Sequence, residues 1–410
     1  MLKQFTWTHR CDCSAGSPMH VALNAYFWNQ PYTGSGQYTR QLVYHLNRHV
    51  SDVRLTLIFP HVVGAGSSET EPRDVPVGVG VHMVPIRAGH LGKTWFEQVQ
   101  FPRACSEVGA QLAHVPYWGS PLQSPVPQIV TVHDLTTLLV RAYRSGPAAR
   151  AYNALVSASA RGADHILTDS FASKLDIVDH LGIREEDITA VYLAAGPEYR
   201  PEENDLVDMA VLRKYDLPDF YMLYLGGYAL HKNVTTLLVA YTYVARALGP
   251  DYPLVLAGRR PTEVTPVFPD YTSMIKELGL ESYVRWIGYV DEADKPVLYR
   301  NAETFVFPSR YEGFGLGPLE AMACGTPVVT TDSASLPEVV GSAAFTVNAD
   351  DARAMGGAII ATVIQESLRL ELRQKGLQQA AKFSWQETAT ETAITYGIVL
   401  RRAAGRPSPR

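Results

Sequence analysis

Cysteine is scarce in this chain: four residues in 410, at Cys11, Cys13, Cys105 and Cys324. No Cys-x-x-Cys pair and no zinc spacing occurs, so neither a metal knot nor a disulfide framework organises the fold, and a reducing cytoplasm is the expected compartment. Charge of one sign is also lacking. The formal net charge is −5, with −3 from residues 1–205 and −2 from the rest, and no basic block that would hold a nucleic acid. No apolar run reaches the roughly 18 residues needed to cross a bilayer. Residues 1–18 lack the apolar stretch of a secretory signal; they read as a disordered extension, with Met19 as an alternative start. Residues 403–410 read as a loose tail. No two aspartates stand two apart, which removes the Asp-x-Asp metal pair of one large class of sugar transferases. Histidine is sparse after residue 205, where one of the 12 lies.

What is present is a regular alternation. Short apolar runs at 20–27, 53–59, 111–115, 127–132 and 163–168 read as strands, with helical spacing at 37–49 and 147–161. The second half repeats the scheme more clearly, with strands at 220–226, 253–258, 282–288, 302–307, 326–331 and 343–347. Between the first two of these, Val234, Leu237, Leu238, Tyr241, Val244, Ala245 and Leu248 keep the three-four spacing of one buried helix face. Continuous apolar strands alternating with helices predict parallel sheets covered on both faces. At this length two domains are expected. The fold class is therefore α/β, with two doubly wound Rossmann-like domains at 19–205 and 206–382, a plausible hinge at 199–209, and a last helix at 383–402. Ligands of such sheets bind beyond the carboxyl ends of the strands, which places the site in the cleft between domains.

One stretch carries chemistry. "RYEGFGLGPLEAMACGTPVV", residues 310–329, brackets a bare glycine loop with two acids, Glu312 and Glu320. The loop follows a strand and leads into a helix, with Pro318 suited to the first turn. Free amides and the helix dipole favour an anion there, and glycine lets the backbone come close. Glu320 is expected in the first helical turn, where a carboxylate can accept from a ribose diol. Glu312 would face the other end of the ligand. A nucleotide diphosphate sugar has that shape. On the bland reading, the loop is only a turn and Glu320 only compensates the dipole.

"EGFGLGPLE" followed by "AMACGTPVV" resembles the E-x7-E signature of retaining glycosyltransferases of family 4, whose GT-B fold has two facing doubly wound domains. "GSGQYTRQL" (34–42), "VTVHDLTTL" (131–139), "LTDSFASK" (167–174), "YLGGYALHKNVTTLL" (224–238), "SLPEVVGSAAFTV" (335–347) and "FSWQETATET" (383–392) extend the resemblance from about Met19 to about Arg402. In the family the last of these opens a helix that crosses back onto the first domain. The resemblance implies that Glu312 contacts the donor sugar and Glu320 the ribose. The amides of Phe314, Gly315 and Leu316 would lie near sugar and phosphates, and Lys232 would bind the diphosphate. His133 would meet the sugar from across the cleft, with Asp134 orienting its loop. Gly34 and Gly36 would lie by the diphosphate and acceptor. Gly36 is favoured because its amide starts a helix; Thr39 breaks the G-x-G-x-x-G dinucleotide fingerprint.

One position departs from the family. An arginine usually precedes the phosphate-binding lysine, and here His231 stands there. The missing charge could come from a protonated His231, from Arg259 or from Arg310. Trp95, Phe96, Phe101 and Trp118 are expected to pack, with a sugar platform or a membrane contact as the alternatives.

By this resemblance a hexosyl group passes from a nucleotide sugar to a hydroxyl by front-face attack, the leaving phosphate taking the proton. No catalytic base, metal or cofactor is called for. GDP-mannose is the first expected donor and UDP-glucose the second. A lipid-linked glycan, a small sugar or another aglycone is the acceptor, and the cytoplasm or the inner face of the membrane is the expected place of work. Rivals are a sugar-nucleotide epimerase of the same fold, a pyridoxal phosphate-dependent phosphorylase, and a non-catalytic nucleotide-sugar binder.

Overall fold

A computed structural model of the chain describes residues 17–62, 71–144, 146–202 and 205–405. Cys11, Cys13 and most of the two expected terminal extensions lie outside these residues, as do positions 203 and 204 of the expected hinge.

The first half forms a seven-stranded sheet of β1 (Met19–Asn24), β2 (Val53–Val62), β3 (Gly80–Ile86), β4 (Leu112–Val115), β5 (Gln128–Thr131), β6 (His165–Thr168) and β7 (Ile188–Ala190), in the order β3-β2-β1-β4-β5-β6-β7. The second half forms a six-stranded sheet of β8 (Met222–Leu225), β9 (Leu254–Ala257), β10 (Val284–Gly288), β11 (Thr304–Phe307), β12 (Val328–Thr331) and β13 (Phe345–Val347), ordered β10-β9-β8-β11-β12-β13. Every pairing is parallel. The strand runs of the sequence recur within one to three residues of their expected ends. Two strands were not read from the sequence, β3 and β7. Both are edge strands; β3 is half exposed and contains Pro85, and β7 has three residues.

Both sheets reverse direction of growth once, between β1 and β4 and between β8 and β11. These switch points open a crevice beyond the strands' carboxyl ends. The loop after β1 leads into α1 (Gly34–His49), and the loop after β6 into α2 (Phe171–Leu181). In the second domain Lys232 follows β8 and precedes α3 (Val234–Leu248), and the glycine loop runs from β11 into α4 (Leu316–Ala323). Helix α3 is fixed by burial of Val234, Leu237, Leu238, Tyr241 and Val244, all 0% exposed. Each such apolar side chain contributes about 1.5–3 kcal/mol relative to exposure.

The terminal helix α5 (Trp385–Ala404) starts at Ser384, whose side chain accepts from the Glu387 amide. It buries Trp385, Ala389, Tyr396 and Val399 against the first domain. There the Tyr396 hydroxyl lies 2.6 Å from His114 Nδ1, and Thr388 Oγ1 donates to the Tyr192 carbonyl at 2.6 Å.

Candidate functional site

The loops at the two switch points face each other across a cleft of about 480 Å³. Its walls include Gly34 and His133 from the first domain and Lys232, Lys295 and residues 312–317 and Glu320 from the second. Most of the residues singled out in the sequence thus meet at one place.

Lys232 closes a short 3-10 turn, Leu230–Lys232. Its ammonium donates to both oxygens of Glu312, at 2.8 and 2.9 Å, and stands 5.7 Å from the centre of the Phe307 ring. The pair is three-quarters or more buried, with side-chain exposures of 23% and 13%. A bidentate ammonium–carboxylate pair in a sheltered cleft is a charge-assisted contact that a bound anion would have to share.

The loop between the acids is built for close approach. Gly315 has φ 124°, a region side chains disfavour, and a Cβ there would lie 3.0 Å from Leu336 Cδ2. Phe314 turns its ring inward, 4% exposed, against Tyr192 and Phe383, which leaves its backbone on the cleft wall. Ser335 Oγ donates to the carbonyls of Glu312 and Phe314, at 2.9 and 2.6 Å, and holds the loop from behind.

Glu320 corrects an expectation. Helix α4 begins at Leu316, so Glu320 sits a full turn in and the first turn carries no acid. Glycine masks a helix start in sequence, so a reading that begins the helix at Gly317 and Pro318 puts Glu320 in its first turn. Glu320 is 9% exposed and accepts from the Tyr299 hydroxyl at 3.0 Å. Burial raises its pKa to about 7, with the nearby Lys295 charge and the tyrosine bonds opposing. Dipole compensation therefore does not explain it.

Gly36 is a second correction. Its amide already donates to Thr33 Oγ1, the N-cap of α1, at 3.1 Å. A Cβ on it would strike the Gln30 carbonyl, with the Phe27 carbonyl oxygen 2.8 Å away. Gly36 is thus required by packing of the β1–α1 turn and does not line the cleft. Gly34 does, with open space where its Cβ would be.

His133 lies where expected, just past β5. Its Nδ1 is 2.7 Å from Asp169 Oδ2 and its Nε2 3.2 Å from the Pro116 carbonyl. Burial works against its charge, but the Asp169 carboxylate outweighs it and the pKa is raised. Asp134 accepts from the Thr136 amide at 2.7 Å and so orients the turn.

The three candidates for the missing cation separate. His231 touches the Tyr143 hydroxyl at 3.3 Å, and burial together with Lys232 lowers its pKa to about 4, so it is neutral near pH 7 in the free protein. Arg310 pairs with Asp350 at 2.6 Å. Arg259, exposed after β9, lies over the rings of Tyr32 and Tyr289, 5.6 and 5.0 Å from their centres, and makes no ion pair among the described residues.

Phe96 and Phe101 are 0% exposed and Trp118 donates Nε1 to the Val156 carbonyl at 2.9 Å; packing is their role. Trp95 departs from this expectation at 54% exposure.

Several residues escaped the sequence reading. Lys295 lines the cleft and is held by Glu292 at 2.6 Å, which also accepts from Gln37 of the opposite domain at 2.8 Å. Asp169 stands one residue past β6, in the "LTDSFASK" segment, and strand-end position was the signal available for it. Gly313 and Glu338 make contacts between domains, which no local pattern announces. Ser170 Oγ donates to the Gly313 carbonyl at 2.7 Å, and Tyr311 donates to Asp176 at 2.7 Å. Among the described residues, no group of three His, Cys, Asp or Glu side chains is arranged to hold a metal ion, and no helix is long and apolar enough to cross a membrane.

Two family models match the chain in order: a glycosyl transferase 4-like domain over residues 33–194 and glycosyl transferases group 1 over 213–379. The O-antigen chain mannosyltransferase B of Escherichia coli is 35% identical over 273 residues, which is 66% of this chain and 70% of that protein. The serotype-specific mannosyltransferase WbdA of the same organism is 31% identical across 65% of this chain, a match spanning 32% of WbdA. Among solved structures, the sucrose-phosphate synthase of Thermosynechococcus elongatus superposes with a TM-score of 0.73 at 19% identity, over 94% of this chain and all of that one. HepE of Anabaena in complex with UDP-glucose superposes with a TM-score of 0.68 at 16% identity, over 92% and 99%. These structures share the two-domain parallel-sheet architecture. The chain therefore belongs to the group 1 glycosyl transferases, has the GT-B fold, and resembles enzymes of bacterial polysaccharide synthesis.

Proposed function

We propose that this glycosyltransferase moves a mannosyl group from GDP-mannose to a hydroxyl of a growing glycan with retention at the anomeric carbon. The observation that carries this reading is the line Lys232–Glu312, glycine loop, Glu320 along one wall of the cleft. A diphosphate lies against the loop amides and the Lys232 ammonium, the hexose meets Glu312, and the ribose diol meets Glu320. Cleaving the sugar–phosphate bond leaves charge on the diphosphate, which the ammonium and the amides stabilise without help from a metal. Of the other carboxylates that line the cleft, Asp169 is engaged by His133 and Asp134 by the Thr136 amide, and Glu312 is tied to Lys232. The reading is therefore front-face attack, with the leaving phosphate taking the acceptor's proton and the protein supplying position and field. The mannosyltransferase relatives support the choice of sugar.

The test is a panel of nucleotide sugars, GDP-mannose and UDP-glucose among them, with and without a mannose-terminated acceptor, followed by NMR of the product's anomeric carbon. Transfer from GDP-mannose with an α-linked product supports the reading. An inverted product, or nucleotide release that ignores the acceptor, overturns it; the latter points to the epimerase alternative.

A further inference from the structure

His133 has acceptors on both sides. Asp169, 4% exposed at the end of β6, presents Oδ2 to Nδ1 at 2.7 Å. The carbonyl of Pro116, just past β4, presents its oxygen to Nε2 at 3.2 Å. A carbonyl oxygen has no proton to give and an ionised carboxylate has none either. A neutral imidazole carries one N–H, so one bare nitrogen would point its lone pair at an oxygen lone pair, and a sheltered acceptor would stay unpaired. The doubly protonated ring satisfies both contacts at once.

The remaining neighbours agree. Asp134 on the same turn adds negative charge nearby. Tyr38 of α1 places its ring edge-on, 4.8 Å between centres, while its hydroxyl is engaged with Thr131 Oγ1 at 3.2 Å. His114 beneath, on β4, is fully buried and pushed down to about 3, so it brings no competing charge. The Lys232–Glu312 pair across the cleft is neutral as a unit.

We propose that His133 is held as an imidazolium, with Asp169 as its positioning residue, so that in the transfer reaction it is a fixed cation and cannot serve as a proton shuttle. Both N–H groups are spent on the protein, and no lone pair faces the cleft. The tether also fixes the backbone: the His133 carbonyl accepts from Ser173 Oγ at 3.2 Å and abuts Gly313 of the opposite domain. The charge state stands on these contacts alone; its part in catalysis rests on the function proposed above.

The experiment is a long-range 15N–1H spectrum of the full-length labelled protein at pH 7.5, with His133→Asn to assign the ring signals. Both ring nitrogens of His133 are expected in the protonated range. In Asp169→Asn the pattern becomes that of a neutral ring and the titration midpoint moves to lower pH, with recovery in Asp169→Glu. Saturated turnover of Asp169→Asn at pH 8 drops on the order of a hundredfold, is regained as pH is lowered through the new midpoint, and leaves nucleotide affinity unchanged. A bare-nitrogen signal from His133 in the unaltered protein overturns the charge state, and needs no variant to fold. A neutral ring in Asp169→Asn with undiminished turnover overturns its role in the reaction. The spectrum requires no substrate, so a wrong donor leaves it standing, whereas failure of nucleotide to bind beside residues 312–320 counts against the proposed function alone.

Discussion

The Gly313 Cα faces the backbone of His133 so closely that a Cβ built on Gly313 would lie 2.9 Å from the His133 carbonyl carbon and nearer still to its oxygen. The two domains meet here, the glycine loop against the turn after β5 that carries His133, where no side chain fits. Gly313→Ala should therefore hold the domains apart while each half keeps its own core. Expected are near-normal nucleotide binding by calorimetry, which on the proposed reading depends on the second domain, and turnover reduced about a hundredfold, since a displacement of about 1 Å at a reacting centre suffices for that. Full activity in Gly313→Ala would remove the contact from the mechanism.

Lys232 is paired in the free protein, and its removal has two consequences. On the proposed reading the leaving diphosphate loses its ammonium, and Glu312 is left as an unpaired, mostly buried carboxylate. Lys232→Ala should lower kcat by about two to three orders of magnitude, the loss typical of one well-aimed stabilising group. The double variant Lys232→Ala, Glu312→Gln should recover thermal stability but not turnover. Steady-state kinetics with melting curves separates the two; equal recovery of both would mean that Lys232 acts through folding.

Much of this site was legible because the sequence keeps it local. Glu312, the glycine loop and Glu320 lie within nine residues, while His133 and Lys232 were singled out by the resemblance of "VTVHDLTTL" and "YLGGYALHKNVTTLL" to family segments. The helix start at Leu316 was misplaced because Gly-Pro-rich sequence looks like loop, and tertiary packing against Leu336, Phe305 and Phe307 overrides that propensity. Gly36 was misassigned for a related reason: a glycine that avoids a neighbouring carbonyl and one that admits a ligand look alike in sequence. The contacts of Gly313, Asp176 and Glu338 span more than 130 positions, so periodicity could not reveal them. Both sheets were readable except at edges β3 and β7, where exposure dilutes the apolar pattern.

Glu320 gives the site a pH dependence. Burial lifts its pKa from 4.5 to about 7. The folded state therefore holds this proton more tightly than the unfolded chain, so stability falls as pH rises from about 4.5 to about 7 and levels off above. Nucleotide binding should run the other way. On the proposed reading the ionised carboxylate accepts from both ribose hydroxyls, so affinity should strengthen as pH rises through about 7. Titration of GDP binding across pH 5.5–8.5 checks this, with Glu320→Gln expected to bind weakly and without that slope. A wild-type slope of opposite sign would show that the protonated acid is the binding form.

The second domain caps a helix of the first. Glu338 accepts from the amides of Phe171 and Ala172 at 2.9 and 2.6 Å, and from the Tyr192 hydroxyl at 2.9 Å. These amides open α2, where the helix leaves donors unpaired and favours negative charge. A carboxylate from another domain satisfies them, so the bond exists only while the domains stay together. Glu338→Ala should cost about 1.5–3 kcal/mol, the range for hydrogen bonds to a charged partner, and the loss should fall on the association of the domains rather than on either core. Calorimetry should then show a transition broader than that of the unaltered protein, or split in two, while Glu338→Gln, which still accepts but lacks the charge, lies between. A sharp transition that merely shifts to lower temperature would place the contribution within one domain, and an unmoved one would leave Glu338 without a structural part in holding the cleft.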